Sequence, residues 1–189
     1  MRVLLVSDTH VARRAKAVPE QVLVEAAIAD VVIHAGDWVD VDVLDLFEAS
    51  SRRVVGVYGN NDGADLRARL PEVARVELGG VRFAVVHETG PAEGRERRCA
   101  ARYPDADVLV FGHSHIPWDT VADSGLRLLN PGSPTDRRRQ PHHTYMTLTA
   151  EAGRIGDVVL HHLDRRAAPV AAPASRSYGG KGIRMRFPP

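Results

Sequence analysis

The stretch VLVFGHSH, residues 108–115, joins a short apolar run to two histidines that are one residue apart. Four consecutive apolar residues bounded by turn-forming residues are typical of a buried strand. Gly112 follows the run, and glycine tolerates backbone angles that other residues avoid. We therefore expect His113 and His115 to lie past the end of a strand, in a turn that lets each imidazole face a different partner.

Short apolar runs alternate with helical patterns through the first third of the chain. The runs 3–6, 31–33 and 54–57 predict strands, and apolar residues at helical spacing predict helices over 19–28 and 40–49. Strands that alternate with helices indicate an α/β layered fold. The remaining predicted elements are strands over 73–78 and 81–86 joined at Gly79-Gly80, a helix over 93–103, and strands over 108–111, 126–129, 145–149 and 154–163.

The composition is that of one globular domain. The chain has 189 residues, of which 44% are hydrophobic and 26% charged. A single cysteine, Cys99, excludes an internal disulfide framework, and no apolar stretch approaches the roughly 18 residues that a membrane helix needs. We expect a cytoplasmic protein with no membrane partner, and the composition leaves a homo-oligomer open.

The charge is unevenly distributed along the chain. The net charge is +1, but the segment from residue 165 onward carries six basic residues and no acidic one. Alanine, proline and glycine dominate that segment, which is typical of a linker or arm. We predict one domain over 1–164, followed by a basic Pro/Ala/Gly-rich arm over 165–189. Because the domain shows no basic face, a nucleic acid is expected only as a substrate.

Side chains that bind metals collect at the ends of five predicted strands. In open α/β sheets ligands bind at the carboxyl ends of the strands, so we expect these side chains to converge. Aspartate, histidine and asparagine without cysteine make a nitrogen and oxygen site, which suits Mn, Zn, Fe, Co or Ni. Seven ligands are too many for one ion, but a bridging Asp37 divides them into two sets of four around ions about 3.5–4 Å apart. The candidate positions are Asp8, His10, Asp37, the polar turn Asn60-Asn61-Asp62, His87, His113 and His115.

The order of these motifs resembles that of the calcineurin-like metallophosphoesterases. It is most similar to the small bacterial and archaeal YfcE-type phosphodiesterases, and the resemblance spans Met1 to about Leu163. The motifs that carry it are Asp8-x-His10, Gly36-Asp37, Gly59-Asn60-x-Asp62, His87, Gly112-His113-x-His115 and the loop Asn130-Pro131-Gly132-Ser133. The fold that the resemblance implies is an α/β sandwich of two mixed β-sheets flanked by helices.

The resemblance also implies a mechanism and a set of roles. The protein would be a phosphodiesterase with two divalent metal ions, manganese being favoured and zinc, iron, nickel or cobalt being alternatives. A metal-bridging hydroxide would be the nucleophile, with Asp37, Asn60 and His87 at the catalytic centre. One ion would be held by Asp8, His10, Asp37 and His115, and the other by Asp37, Asn60, His87 and His113.

Four residues are candidate substrate contacts, and two of them, Asn61 and Glu88, depart from the family pattern. Glu88 stands where the family usually has glycine, and its carboxylate would alter substrate preference near the second ion. Asn61 stands where larger relatives carry a histidine that protonates the leaving group, and an asparagine cannot act as a general acid. Arg137 and His142 lie beyond the 130–133 loop, where they contact a substrate phosphate or belong to a solvated face.

The sequence leaves open other functions for the protein and purely structural roles for some residues. A phosphomonoesterase of the same fold would use the same ligands, and a binding scaffold similar to the retromer subunit of this fold would need no catalysis. The complete set of seven ligands favours an enzyme over a scaffold. His34 lies inside an apolar run and is expected in the core or behind the ligands, whereas Trp38 and Trp118 either wall the site or pack.

Overall fold

The computed structural model describes residues 1–163, and within them it has ten strands and four helices. The predicted boundary at 164 and the predicted arm over 165–189 lie outside the described residues. The elements are β1 (Arg2–Val6), α1 (Glu20–Ile28), β2 (Val31–His34), α2 (Val41–Ser50), β3 (Val54–Gly56), α3 (Ala64–Arg69), β4 (Val73–Leu78), β5 (Val81–Val86), α4 (Arg95–Arg102), β6 (Val108–Val110), β7 (Trp118–Val121), β8 (Arg127–Asn130), β9 (His143–Glu151) and β10 (Arg154–Leu163).

The strands form two five-stranded mixed sheets. The first has the order β10-β9-β1-β2-β3, in which β1, β2 and β3 are parallel and β9 runs antiparallel to β1. The second has the order β4-β5-β6-β8-β7, in which β5, β6 and β8 are parallel and the outer strands are antiparallel. The predicted α/β sandwich of two mixed sheets is therefore confirmed.

The main core lies between the two sheets. Leu5 and Ile33 from the first sheet belong to the same buried cluster as Phe83, Val110 and Leu129 from the second. Successive residues of a strand point to opposite faces of its sheet, and both faces are covered here, so the strands read as unbroken apolar runs. This explains why the runs in the sequence do not alternate with polar residues.

Helices cover the outer faces of both sheets. Phe47 of α2 and Val22 of α1 pack with Leu4 on the outer face of the first sheet. On the second sheet, Cys99 of α4 packs with Leu109, so its thiol is buried as an ordinary packing group. No helix within residues 1–163 is long and apolar enough to cross a membrane.

Two elements were not predicted from the sequence. Helix α3 spans only six residues and buries only Leu66, so its sequence lacks an apolar face. Strand β7 lies at an edge of its sheet, and Val121 at its end is 61% exposed. Short elements with little buried surface carry a weak periodic signal, which is why they were missed.

The topology places five loops at one edge of the sandwich. Parallel neighbours β1, β2 and β3 end on the same side of the first sheet, and β5 and β6 end together on the second. The loops after these strands carry the candidate ligands, so the fold brings distant parts of the sequence to one place.

Truncation of a central core residue should destabilise the sandwich. Leu5 is fully buried between the sheets on the central strand β1, and we expect Leu5→Ala to lower the free energy of unfolding by about 2–5 kcal/mol. Urea denaturation measures the change. The exposed Val121 is the matched control, and Val121→Ala should stay within about 0.5 kcal/mol of the wild type. Equal effects of the two variants would contradict this core assignment.

Candidate metal centre

The first group of candidate ligands comes from the loops after β1 and β6. The Nε2 atoms of His10 and His115 are 3.2 Å apart, and Asp8 Oδ1 is 3.3 Å from His115 Nε2. All three side chains are buried, and the two imidazole rings are stacked. Three ligand atoms at these separations form a compact group that fits around one cation.

The second group comes from the loops after β3, β5 and β6. Asn60 Oδ1 is 2.9 Å from both His87 Nε2 and His113 Nδ1. Asp37 lies between the two groups, because its Oδ2 is 3.3 Å from His87 Nε2 and 3.5 Å from His10 Nε2. The structure thus gathers all seven predicted side chains, with Asp37 in the position that a bridging carboxylate would need.

The hydrogen bonds on the far side of two histidines determine which nitrogen faces the site. His87 Nδ1 lies 2.8 Å from the carbonyl oxygen of Ala35, and His115 Nδ1 contacts the carbonyl oxygen of Asp136. A carbonyl oxygen only accepts, so each Nδ1 carries the hydrogen. In the neutral rings, Nε2 then presents a lone pair to the site, as a metal ligand must.

The donor set fits a divalent cation. Asp37 Oδ2, Asn60 Oδ1 and the Nε2 lone pair of neutral His87 are all acceptors, and they face one another within hydrogen-bonding distance. Mutually facing acceptors repel unless a positive charge lies among them, and either a proton on His87 Nε2 or a metal cation supplies that charge. A nitrogen and oxygen set of this kind, with no sulfur, suits the borderline and hard divalent metals.

The pKa values follow from the same geometry. Burial lowers the pKa of His87, but the hydrogen bond to Asp37 and the charges of Asp8 and Asp37 outweigh it and raise the pKa to about 9. Burial raises the pKa of Asp37, but the hydrogen bonds from His87 and Asn61 lower it well below its usual value. Burial lowers the pKa of His10, which favours its neutral, ligating form. The site therefore favours a positive charge among its carboxylates.

Most of the candidate ligands have an unusual backbone conformation. The φ angles of Asp8, His10 and Asp37 are 56°, 43° and 61°, and those of His113 and His115 are 67° and 59°. Residues other than glycine seldom adopt this left-handed region, and those that do cluster at functional sites. The two histidines of the opening stretch therefore lie in a turn, and their own angles aim the rings.

The expected role of Gly112 is wrong in one respect. Gly112 does not have a positive φ angle, so it does not supply the unusual angles of the turn. A Cβ atom at this position would lie 2.8 Å from Asp8 Oδ2 and 2.9 Å from the carbonyl oxygen of Ala35. Glycine is needed because the loop after β6 approaches the loops after β1 and β2 so closely.

Asp62 holds two of the ligand loops together. Its buried carboxylate accepts hydrogen bonds from the backbone N–H groups of Asp37 (3.0 Å), Val39 (2.7 Å) and Gly59 (2.7 Å). Arg67 supports the same turn by donating to the carbonyl oxygens of Asp62 and Gly59. The sequence motif contains Asp62, but its role as a connector was missed because its partners are up to 25 residues away.

The loop over 130–136 fixes the ligands of the first group from behind. Ser133 Oγ donates to the carbonyl oxygen of Asp8 at 2.7 Å, and Asn130 Nδ2 donates to that of Gly112 at 2.8 Å. The resemblance picked out this loop, but no role followed from its sequence. In the structure it connects the β1 and β6 loops through hydrogen bonds that span 18 to 125 residues.

The residues predicted to contact substrate fall into two groups. Asn61 donates its backbone N–H (2.8 Å) and its side-chain Nδ2 (2.7 Å) to Asp37, and Glu88 Oε1 lies 3.9 Å from His113 Nε2. Both are therefore next to the candidate ligands. Arg137 donates to the carbonyl oxygen of Gln140, and His142 stacks on a histidine of β10. The contacts of these last two do not link them to the ligands, and their substrate roles stay predictions.

His34 and the two tryptophans make packing contacts and are not among the gathered ligands. His34 is fully buried, with Nε2 3.2 Å from Thr9 Oγ1, and its ring stacks on Trp38. Trp38 is also fully buried and donates Nε1 to the carbonyl oxygen of Val57, so it packs. The guanidinium of Arg95 lies over the ring of Trp118, 4.6 Å from its centroid, so Trp118 packs as well.

A cleft of about 460 Å³ opens next to the second group of ligands. Asn60, His87 and Glu88 form the end of the cleft at the site, and it continues to Arg102 and Tyr103 at the end of α4. The cleft supplies space for a molecule whose reacting group lies at the ligands.

Comparisons with known proteins agree with this geometry. The family model of the calcineurin-like phosphoesterase superfamily domain matches residues 1–153. A probable metallophosphoesterase of Methanocaldococcus jannaschii is 35% identical over 153 residues, which are 80% of this chain and 77% of that protein. A phosphodiesterase of the same organism is 26% identical over 145 residues, 70% of this chain and 83% of that protein. The zinc complex of Vps29 from Entamoeba histolytica has a similar fold, with a TM-score of 0.70 at 24% identity over 87% of this chain and 99% of that one.

Loss of the Asp62 carboxylate should weaken metal binding although Asp62 is not a candidate ligand. Asp62→Ala leaves three buried N–H groups without their acceptor, so we expect about 10–100-fold weaker binding of Mn²⁺ by titration calorimetry. Asp62→Asn keeps one acceptor oxygen, so its affinity for Mn²⁺ should fall less than that of Asp62→Ala. The exposed Asp65 is the control, and Asp65→Ala should bind as the wild type does. Wild-type affinity in a folded Asp62→Ala protein would contradict the connector role.

Proposed function

The chain belongs to the calcineurin-like phosphoesterase superfamily, and we propose that it is a dinuclear metal-dependent phosphodiesterase. The observation that carries the proposal is the position of Asp37 between the two ligand groups, with its Oδ2 3.5 Å from His10 Nε2 and 3.3 Å from His87 Nε2. Asp8, His10, Asp37 and His115 hold one divalent ion, and Asp37, Asn60, His87 and His113 hold the other. Manganese is the preferred metal, and zinc, iron, nickel or cobalt are alternatives with the same donor chemistry.

The two ions, when bound, supply Lewis acidity that activates a water molecule and stabilises negative charge on the phosphoryl group. The protein orients the ligands before the metals arrive. The carbonyl oxygen of Ala35 holds His87 with its Nε2 towards Asn60, and Asn61 holds both oxygens of Asp37 through two hydrogen bonds. Ligands held in this way need little rearrangement on binding, which favours tight and ordered sites.

The absence of a general acid at position 61 affects which leaving groups the protein can expel. An alkoxide leaving group needs a proton in the transition state, and a general acid typically contributes about 10²–10⁴-fold to the rate. Asn61 cannot supply that proton, and its side-chain amide already donates to Asp37. Leaving groups that depart as stable anions should therefore react best. The relative named as a phosphodiesterase supports a diester over a monoester.

A binding scaffold is the competing function from another class. Vps29 of Entamoeba histolytica has this fold and binds zinc, so the fold and a metal alone do not establish catalysis. A scaffold has no need for seven gathered ligands, for strained backbone at five of them, or for an open cleft beside them. These features together favour the enzyme.

Substitution of the shared carboxylate should affect both metal ions. We expect Asp37→Ala to lower the metal content from two Mn²⁺ ions per chain to one or none and to abolish phosphodiester hydrolysis. His115→Ala should weaken mainly the first ion, and His113→Ala mainly the second. Metal analysis after dialysis measures the content. The exposed Asp45 is a matched control for loss of a carboxylate, and Asp45→Ala should retain both ions. A wild-type protein that binds at most one ion under saturating Mn²⁺ would refute the two-metal model.

The order of substrates tests the phosphodiesterase assignment. We expect kcat/KM to be highest for an aryl diester such as bis-p-nitrophenyl phosphate, lower for an aryl monoester, and lowest for an alkyl monoester. Aryl esters should exceed the alkyl ester because a nitrophenolate departs without a proton, whereas an alkoxide does not. The diester should exceed the aryl monoester because its single negative charge opposes attack by hydroxide less. The three substrates are compared under one metal condition. An alkyl monoester that reacts fastest would mean that the protein has a general acid, and His142→Ala would then test whether His142 is that acid.

A further inference from the structure

Glu88 is the acidic residue that stands where the cleft meets the second group of ligands. It follows His87 directly after β5, and it lines the cleft together with His87 and Asn60. Its side chain is 57% exposed, so its charge faces the space that a bound substrate would occupy. Asp37 and Asp8, in contrast, are buried among the candidate ligands.

The position of Glu88 relative to His113 shows that it is not one of the ligand atoms. His113 directs Nδ1 towards Asn60 Oδ1 at 2.9 Å and its other nitrogen, Nε2, towards Glu88 Oε1 at 3.9 Å. The carboxylate therefore lies one imidazole ring outside the second group. Among the described residues, no arginine or lysine forms an ion pair with the Glu88 carboxylate within 4.0 Å, and its charged contact is with the His113 ring.

We propose that Glu88 selects the charge of the substrate, disfavouring a dianionic phosphomonoester and accepting a monoanionic phosphodiester. The inference rests on the proposed function, because it assumes that the phosphoryl group lies at the two ligand groups. A phosphomonoester carries close to two negative charges above about pH 7, whereas a diester carries one. The extra charge meets the Glu88 carboxylate in a partly hydrated cleft, and repulsion of this kind is worth about a factor of ten.

The cleft explains how a diester fits beside this carboxylate. A diester has a second organic group, and the cleft of about 460 Å³, which Glu88, Arg102 and Tyr103 all line, provides space for it. A monoester has only a charged oxygen at that position. Glu88 therefore faces an uncharged ester arm in one case and an additional negative charge in the other.

The test compares two substrates in a variant that removes only the charge. In Glu88→Gln with two Mn²⁺ bound, kcat/KM for p-nitrophenyl phosphate should rise about tenfold, while that for bis-p-nitrophenyl phosphate should change less than twofold. Because Glu88 is exposed, added salt should reduce the wild-type discrimination and leave the variant nearly unchanged. A purely structural role for Glu88 would not produce this dependence on salt.

Glu72 provides the matched control. It lines the same cleft, but its carboxylate lies 3.5 Å from Tyr58 Oη, not beside a candidate ligand. Glu72→Gln should leave the ratio of the two substrates within about twofold of the wild-type ratio. An equal change in Glu72→Gln and Glu88→Gln would overturn the proposal, because the selection would then belong to the net charge of the cleft.

A binding measurement separates this inference from the proposed function. Phenyl phosphate and diphenyl phosphate are titrated into the Mn²⁺-loaded protein, and Glu88→Gln should tighten only phenyl phosphate, by about tenfold. If Glu88→Gln tightens only phenyl phosphate but the wild type hydrolyses neither p-nitrophenyl substrate, the proposed function fails and the charge selection stands. If hydrolysis proceeds but the ratio does not change in Glu88→Gln, the charge selection fails and the function stands. Loss of metal from Glu88→Gln would also overturn the proposal, because Glu88 would then act through His113.

Discussion

The close approach of loops from two sheets is the constraint on which the rest of this structure depends. Five of the seven candidate ligands hold left-handed backbone conformations, each of which costs of order 1 kcal/mol for a residue other than glycine. Such conformations persist only where the surroundings determine them. The buried core between the sheets fixes the strand ends, and the hydrogen bonds between the loops then hold the angles.

Two sets of hydrogen bonds hold these loops together. The Asp62 carboxylate joins the loops after β2 and β3 through three backbone N–H groups. Asn130 and Ser133 join the loops after β1 and β6 from the opposite side. None of the three is a candidate ligand, yet each stabilises the positions of several. Gly112 completes the arrangement, because any side chain there would push the loops apart.

The same geometry accounts for the electrostatics and for the chemistry that follows from it. Acceptor atoms of Asp37 and Asn60 lie around His87 Nε2, so the site favours a positive charge there, and a bound divalent metal would supply it. The cations would attract a dianionic monoester more strongly than a monoanionic diester, so a preference for the diester has to come from groups outside the ligands. In the proposed reaction, Asn61 cannot donate a proton to the leaving group, and Glu88 places a negative charge at the cleft.

The sequence by itself determined the residue types, their order along the chain and the layered α/β class, because apolar runs and the polar residues that end them are local patterns. It therefore predicted all seven candidate ligands and the shared position of Asp37. Only the tertiary structure decided which histidine nitrogen faces the site, that Asp62 is a connector, and that Glu88 lies beside His113. These properties depend on contacts between residues that are far apart in the sequence, such as His87 with Ala35 and Asp62 with Asp37, which no local pattern records.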